Sequence, residues 1–200
     1  MEATPAMGVY LEKFLRRIPT RVTPNSLTFA RLALTPPLLV ITWRGYVDWA
    51  LPLYLILALT DAIDGPLARL RGATSKLGAV MDQLSDKLLQ IPMILVSGYG
   101  IIPIRILCLL ATVEAFLLAI RPIQALILQQ QGAESHPKSH VSGKIKMWAE
   151  GFTVFFLLTY RQTGIDIVWW LSLFAAIVSI AFAVTSLVAH IRFTFSAGSS

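Results

Sequence analysis

Six apolar stretches of about 20 residues divide the chain, and that is the length a helix needs to cross the hydrocarbon core of a bilayer. They run over 26–43, 49–70, 74–97, 101–128, 144–160 and 165–191. Of 200 residues, 56% are hydrophobic and 14% charged, more apolar surface than a soluble core of this size can bury. Stretches so long and so repeated are not explained by a cleavable leader. The sequence therefore predicts an all-α integral membrane protein of six transmembrane helices, one domain over 1–200 with its bundle over 26–193. Within 1–22, Val9, Leu11, Phe14, Leu15 and Ile18 alternate with Glu12, Lys13, Arg16 and Arg17, which predicts an amphipathic helix on the membrane surface. Pro19 and then Thr23-Pro24-Asn25-Ser26 end it, and Asn25 or Ser26 is expected to cap the first span.

Charge fixes the expected orientation. Lys13, Arg16, Arg17 and Arg21 precede the first span, Arg69, Arg71 and Lys76 join the second to the third, and Lys138, Lys144 and Lys146 join the fourth to the fifth. Arg192 follows the sixth, while the opposite side offers Arg44, Arg105 and Arg161. Basic loops stay in the cytoplasm, so both termini and the loop around Gly72 are expected there, as in a bacterial cytoplasmic membrane protein. A net charge of +6 in such a chain reads as topology and attraction to anionic lipid, and no nucleic-acid partner is expected. The single cysteine, Cys108, excludes an intrachain disulfide. His136 and His140 lie four apart in the polar connection 129–143, but Pro137 between them argues for a solvated loop rather than a metal site.

Against this background four aspartates stand out. Asp61 and Asp64 are three residues apart, Asp82 and Asp86 four apart, so each pair occupies one face of a helix. A carboxylate near the bilayer centre costs roughly 2.5–3.5 kcal/mol, and four without partners would cost on the order of 10 kcal/mol. Something cationic must meet them. A tight turn at Arg71-Gly72-Ala73 makes the two bearing helices antiparallel neighbours, so the acids can face one cytoplasmic cavity. Gly65 and Ala68 share the face of the first pair, and Ser75 and Gly78 that of the second, leaving room beside the carboxylates. Oxygen-only ligands suit Mg²⁺, Mn²⁺ or Ca²⁺, and Mg²⁺ commonly takes its remaining ligands from substrate phosphates. Arg69, Arg71 and Lys76 add positive charge at the mouth. The alternative is a structural ion-pair network with Arg69, Lys76 and Lys87, which gives no reason for the small residues.

From Asp61 to Asp86 the residues fit, position by position, the pattern D-x2-D-G-x2-A-R-x8-G-x3-D-x3-D. In this the chain resembles the CDP-alcohol phosphatidyltransferases, and its length and six-span layout are similar to that family too. The resemblance implies transfer of a phosphatidyl group from CDP-diacylglycerol to an alcohol, with release of CMP. It implies that Asp61, Asp64 and Asp82, with Asp86 nearby, hold two divalent ions, Mg²⁺ or Mn²⁺, and that Asp86 is the catalytic base. It places Asp61, Gly65, Ala68, Arg69, Ser75 and Gly78 around the cytidine diphosphate, and it implies a homodimer in contact with membrane lipid.

The acceptor is expected from weaker signals. Glu114 and Arg121 lie seven apart on the fourth span, Ser142-Gly143-Lys144-Ile145-Lys146 opens the fifth, and Pro24-Asn25-Ser26-Leu27-Thr28-Phe29-Ala30-Arg31 opens the first. All three look like phosphatidylglycerophosphate synthases, a branch of the same family. By that resemblance Arg121, Lys144 and Lys146 bind the phosphate of a small phosphorylated alcohol, glycerol 3-phosphate. Val113 and Met147 depart from the branch's arginine and threonine. Phosphatidylglycerol, as in CMP-forming cardiolipin synthases, and inositol phosphate are the alternative acceptors. Pro66 is expected to kink the second span, since it removes the bond to the carbonyl of Ala62. A divalent-cation transporter is the competing class, but the far half of the second and third spans carries no acid to continue a path.

Overall fold

The computed structural model describes residues 13, 15, 17, 19, 23–72, 76–130 and 141–197, with side chains set aside at 76, 77, 79, 80, 83, 121–130, 141–144 and 192–197. These residues form six helices, α1 (Pro24–Trp43), α2 (Val47–Leu70), α3 (Lys76–Gly98), α4 (Ile104–Gln130), α5 (Val141–Thr163) and α6 (Asp166–Ala197). Among the described residues three are long and apolar enough to cross a membrane: Asn25–Trp43 of α1, Val47–Leu70 of α2 and Asp166–Ile191 of α6. Large apolar side chains such as Trp49 (75% exposed) and Phe174 (68% exposed) stand on the surface. Water would oppose that exposure and lipid does not, so the chain is a membrane protein. The chain divides into two compact units, Met1–Leu89 and Gln90–Ser200.

In the first unit, α1 begins one residue before the expected caps. Thr23 is the N-cap: its hydroxyl accepts from the Ser26 amide at 3.1 Å, and the Ser26 hydroxyl donates to the Thr23 carbonyl at 2.7 Å. Pro24 explains the shift, because a proline has no amide hydrogen to leave unsatisfied and its fixed φ suits the first helical position. Within α1 the hydroxyls of Thr35 and Thr42 donate to the carbonyls of Arg31 and Leu38, at 2.8 and 2.7 Å, so neither needs water. A three-residue link, Arg44–Tyr46, returns the chain into α2, and Gly45 takes φ of +81° there. The two helices pack together, and Leu38, Ala50, Tyr54 and Leu57 are buried in this unit.

α2 runs unbroken through Pro52 and Pro66 to Leu70, and Gly72 follows at φ +61°. Residues 73–75, and with them Ser75, fall outside the described set, as does most of 1–22. Of the latter, Leu15 is buried, Lys13 and Arg17 are exposed, and Arg71 donates to the carbonyl of Pro19 at 3.2 Å.

In the second unit α6 packs against both α5 and α4, and Val113 and Leu117 of α4 meet Ala183 and Leu187 of α6. Gly164, at φ +67°, turns α5 into α6. Near the end of α5, Arg161 donates to the carbonyls of Ser97 and Tyr99 at 2.8 Å and of Val96 at 3.3 Å. Those carbonyls belong to the last turn of α3 and the residue after it, where intrahelical donors have run out. Trp169 likewise donates to the carbonyl of Ile101 at 3.1 Å.

Candidate functional site

The register of the first helical hairpin delivers the charged groups to one level. Arg31 lies 12 residues before the end of α1, and Asp61 lies 14 residues after the start of α2. At about 1.5 Å per residue these offsets are about 18 and 21 Å from the link, less than a turn apart. The Arg31 guanidinium bonds Asp61 Oδ1 through Nη1 and Asp64 Oδ2 through Nη2. Asp82 Oδ1, from α3, stands 3.7 Å from Nη1. The arginine side chain is fully buried, Asp64 nearly so, and Asp61 and Asp82 are open in part.

One cation beside the acids is present in the chain itself. It is Arg31, which comes from α1 rather than from the acid-bearing helices. Arg69 is exposed, with its Nη1 3.8 Å from where a Cβ on Gly65 would stand. An arginine in the middle of an apolar span was the signal for a buried acid partner.

One ligand oxygen from each of Asp61, Asp64 and Asp82 lies within 4.8 Å of the other two. Oxygens on opposite sides of one Mg²⁺ stand roughly 4.2 Å apart, so little closure brings this set around an ion. Asp82 Oδ1 is buried and, among the described residues, accepts no hydrogen bond. An orphaned carboxylate oxygen in an all-oxygen donor set fits a hard divalent cation. Asp86, half-buried one turn along α3, is near enough that its charge repels that of Asp61.

Gly65, Ala68 and Gly78 are partly accessible. Among the described residues, a Cβ at Gly65 would meet nothing but the Arg69 guanidinium within 4 Å, and φ there is not in the left-handed region. Neither packing nor backbone conformation requires a glycine at 65.

The residues assigned to the acceptor lie in the second unit. Lys146 is buried, and its Nζ donates to Glu114 Oε1 and Oε2 at 2.7 and 2.9 Å, with Glu150 Oε1 at 3.6 Å. Glu150, one turn beyond Lys146, is a partner that sequence reasoning passed over, although its i,i+4 spacing was visible. Arg121 and Lys144 lie on α4 and α5, with side chains outside the described set.

Comparison with known proteins agrees with the motif. The model of the CDP-alcohol phosphatidyltransferase family matches residues 21–191. A CDP-diacylglycerol–glycerol-3-phosphate 3-phosphatidyltransferase of Cereibacter sphaeroides is 40% identical over 82 residues, 38% of this chain and 37% of the relative. A Mycobacterium tuberculosis protein named "Putative cardiolipin synthase" is 30% identical over 133 residues, 66% of this chain and 62% of its own. A Bacillus subtilis protein with the same name as the first is 26% identical over 180 residues, 78% of this chain and 90% of the relative. The matched stretch thus spans well under half of the first relative and under two thirds of the second. A family match over 21–191, coinciding with three aspartates gathered around one centre, leads to one assignment: the chain belongs to the CDP-alcohol phosphatidyltransferase family.

Proposed function

We propose that this protein transfers the phosphatidyl group of CDP-diacylglycerol to an alcohol, releasing CMP, with glycerol 3-phosphate as acceptor. The observation that carries the reading is the convergence of Asp61, Asp64 and Asp82, with a buried oxygen of Asp82 left without a donor among the described residues. Two divalent ions, Mg²⁺ or Mn²⁺, held by these residues with Asp86, would neutralise charge on the diphosphate and on the departing CMP. Asp86, half-buried one turn beyond Asp82 on α3, accepts the proton of the acceptor hydroxyl. Gly65 and Ala68, with Gly78 on α3 and Ser75, leave space for the cytidine diphosphate. Arg69, whose guanidinium lies over Gly65, offers charge to its phosphates. Arg121, Lys144 and Lys146 are assigned to the acceptor phosphate.

In this reading the chain is a single membrane domain of six spanning helices behind a surface helix, with both termini and the acids on the cytoplasmic side. A nucleotide-bearing lipid presents its head group to water there. Homodimeric assembly belongs to the same reading and rests on the family resemblance; light scattering on the detergent-solubilised protein tests it.

A second acceptor has specific support. The charge of Lys146 is already engaged by Glu114 and Glu150, which weakens it as a ligand for a dianionic phosphate. Phosphatidylglycerol, a monoanion, asks less of that lysine, and the Mycobacterium relative carries the name of a cardiolipin synthase. The deciding experiment incubates purified protein with CDP-diacylglycerol and Mg²⁺ and follows CMP release with each acceptor in turn. Release with phosphatidylglycerol and none with glycerol 3-phosphate reverses the acceptor assignment. Silence with every alcohol, in protein that is folded, removes the transferase reading.

A further inference from the structure

The fully buried guanidinium of Arg31 sits among the carboxylates assigned to metal. It bonds one oxygen of Asp61 and one of Asp64, and it stands 3.7 Å from the orphaned oxygen of Asp82. It brings one positive charge to three acids, and its two bonded nitrogens take up the space between the oxygens of Asp61 and Asp64. A small divalent ion coordinates oxygen at about 2.0–2.1 Å, inside the hydrogen-bond distance of a guanidinium nitrogen. The fork and an ion bridging the same two oxygens would overlap and, with like charge at short range, repel. Asp82 Oδ1 lies beyond hydrogen-bond reach of the fork, so one cation of this shape leaves part of the site unserved.

We propose that Arg31 is the built-in counter-cation of the acid cluster, and that a divalent ion enters the site by exchange with its guanidinium. The inference rests on the metal reading given above. It adds that Arg31 keeps the acids together when metal is absent, and that metal affinity is set by competition with this side chain. An internal competitor lowers apparent affinity by the fraction of time it leaves the site open. Removing it therefore tightens metal binding while it weakens the metal-free protein.

The test measures Mn²⁺ binding to the full chain in detergent by electron paramagnetic resonance, with thermal melting in EDTA, for the wild type, Arg31→Gln and Arg31→Lys. Arg31→Gln is expected to bind Mn²⁺ about tenfold or more tightly than wild type. It should melt at a lower temperature in EDTA and gain more from added Mn²⁺. Arg31→Lys, which keeps the charge but loses the two-pronged contact, should fall between them, and it carries the test alone if the glutamine variant does not fold. Equal or weaker Mn²⁺ binding in the variants overturns the exchange and leaves the metal site standing. No Mn²⁺ binding by wild type or variants removes the metal reading and the exchange together.

Discussion

Gly65→Ala separates what the fold needs from what the ligand needs. The added methyl would stand 3.8 Å from Arg69 Nη1, an ordinary contact, with nothing else within 4 Å. Gly65 is interior to α2, so the change gains helix propensity of about 0.8–1.0 kcal/mol. In a chain of this size that raises Tm by about 2–4 °C. If cytidine diphosphate approaches the backbone here, the same methyl overfills the contact at about 1–3 kcal/mol, a loss of about 5–150-fold in kcat/KM. Melting of the detergent-solubilised protein without nucleotide gives the first quantity, and CMP release from CDP-diacylglycerol gives the second. A Tm that falls by several degrees would assign the glycine to packing. A kcat/KM within twofold of wild type would mean that no ligand comes close at Gly65.

Further outcomes follow from the other charged groups. Lys146→Met removes the buried ammonium held by Glu114 and Glu150, which should cost about 3–5 kcal/mol and lower Tm by about 6–20 °C; a melt within 2 °C of wild type would show that the lysine contributes little to stability. Asp86→Asn should slow CMP release by about 100-fold or more, well beyond any loss of Mn²⁺ affinity. An equal loss of Mn²⁺ affinity would assign Asp86 to holding metal rather than accepting the proton. Chelation by EDTA should abolish release in the wild type and Mn²⁺ should restore it, whereas release that persists in EDTA contradicts two-ion catalysis.

The helices were legible because apolar length is a local property. The predicted stretch 49–70 becomes α2 at Val47–Leu70, and 101–128 becomes α4 at Ile104–Gln130. Asp61, Asp64 and Asp82 were legible as a group because their spacing places each pair on one face, and one short turn joins the faces. Arg31 was visible only as part of a motif. Its role depends on the register of α1 against α2, which the link at Arg44–Tyr46 sets and no periodicity within either helix reports. Glu114 was read with Arg121, its neighbour along α4, while the structure gives it Lys146 from α5, 32 residues away. Same-helix pairs can be counted along a chain; pairs between helices need the packing. The cap shifted for a local reason, since Pro24 occupies the first helical position and leaves Thr23 to accept the free amide.

The contact of Arg31 with Asp61 and Asp64 lies wholly within the first 70 residues, on two helices that are each apolar enough to cross a membrane. A growing chain can close this contact as soon as α2 leaves the ribosome, before α3 has emerged. Each of the three side chains, entering hydrocarbon singly, would oppose insertion by roughly 2.5–3.5 kcal/mol. As a preassembled hairpin they enter with most of that penalty cancelled. The arginine that seals the acids together would thus also ease insertion, letting a nascent chain carry its acid cluster into the bilayer.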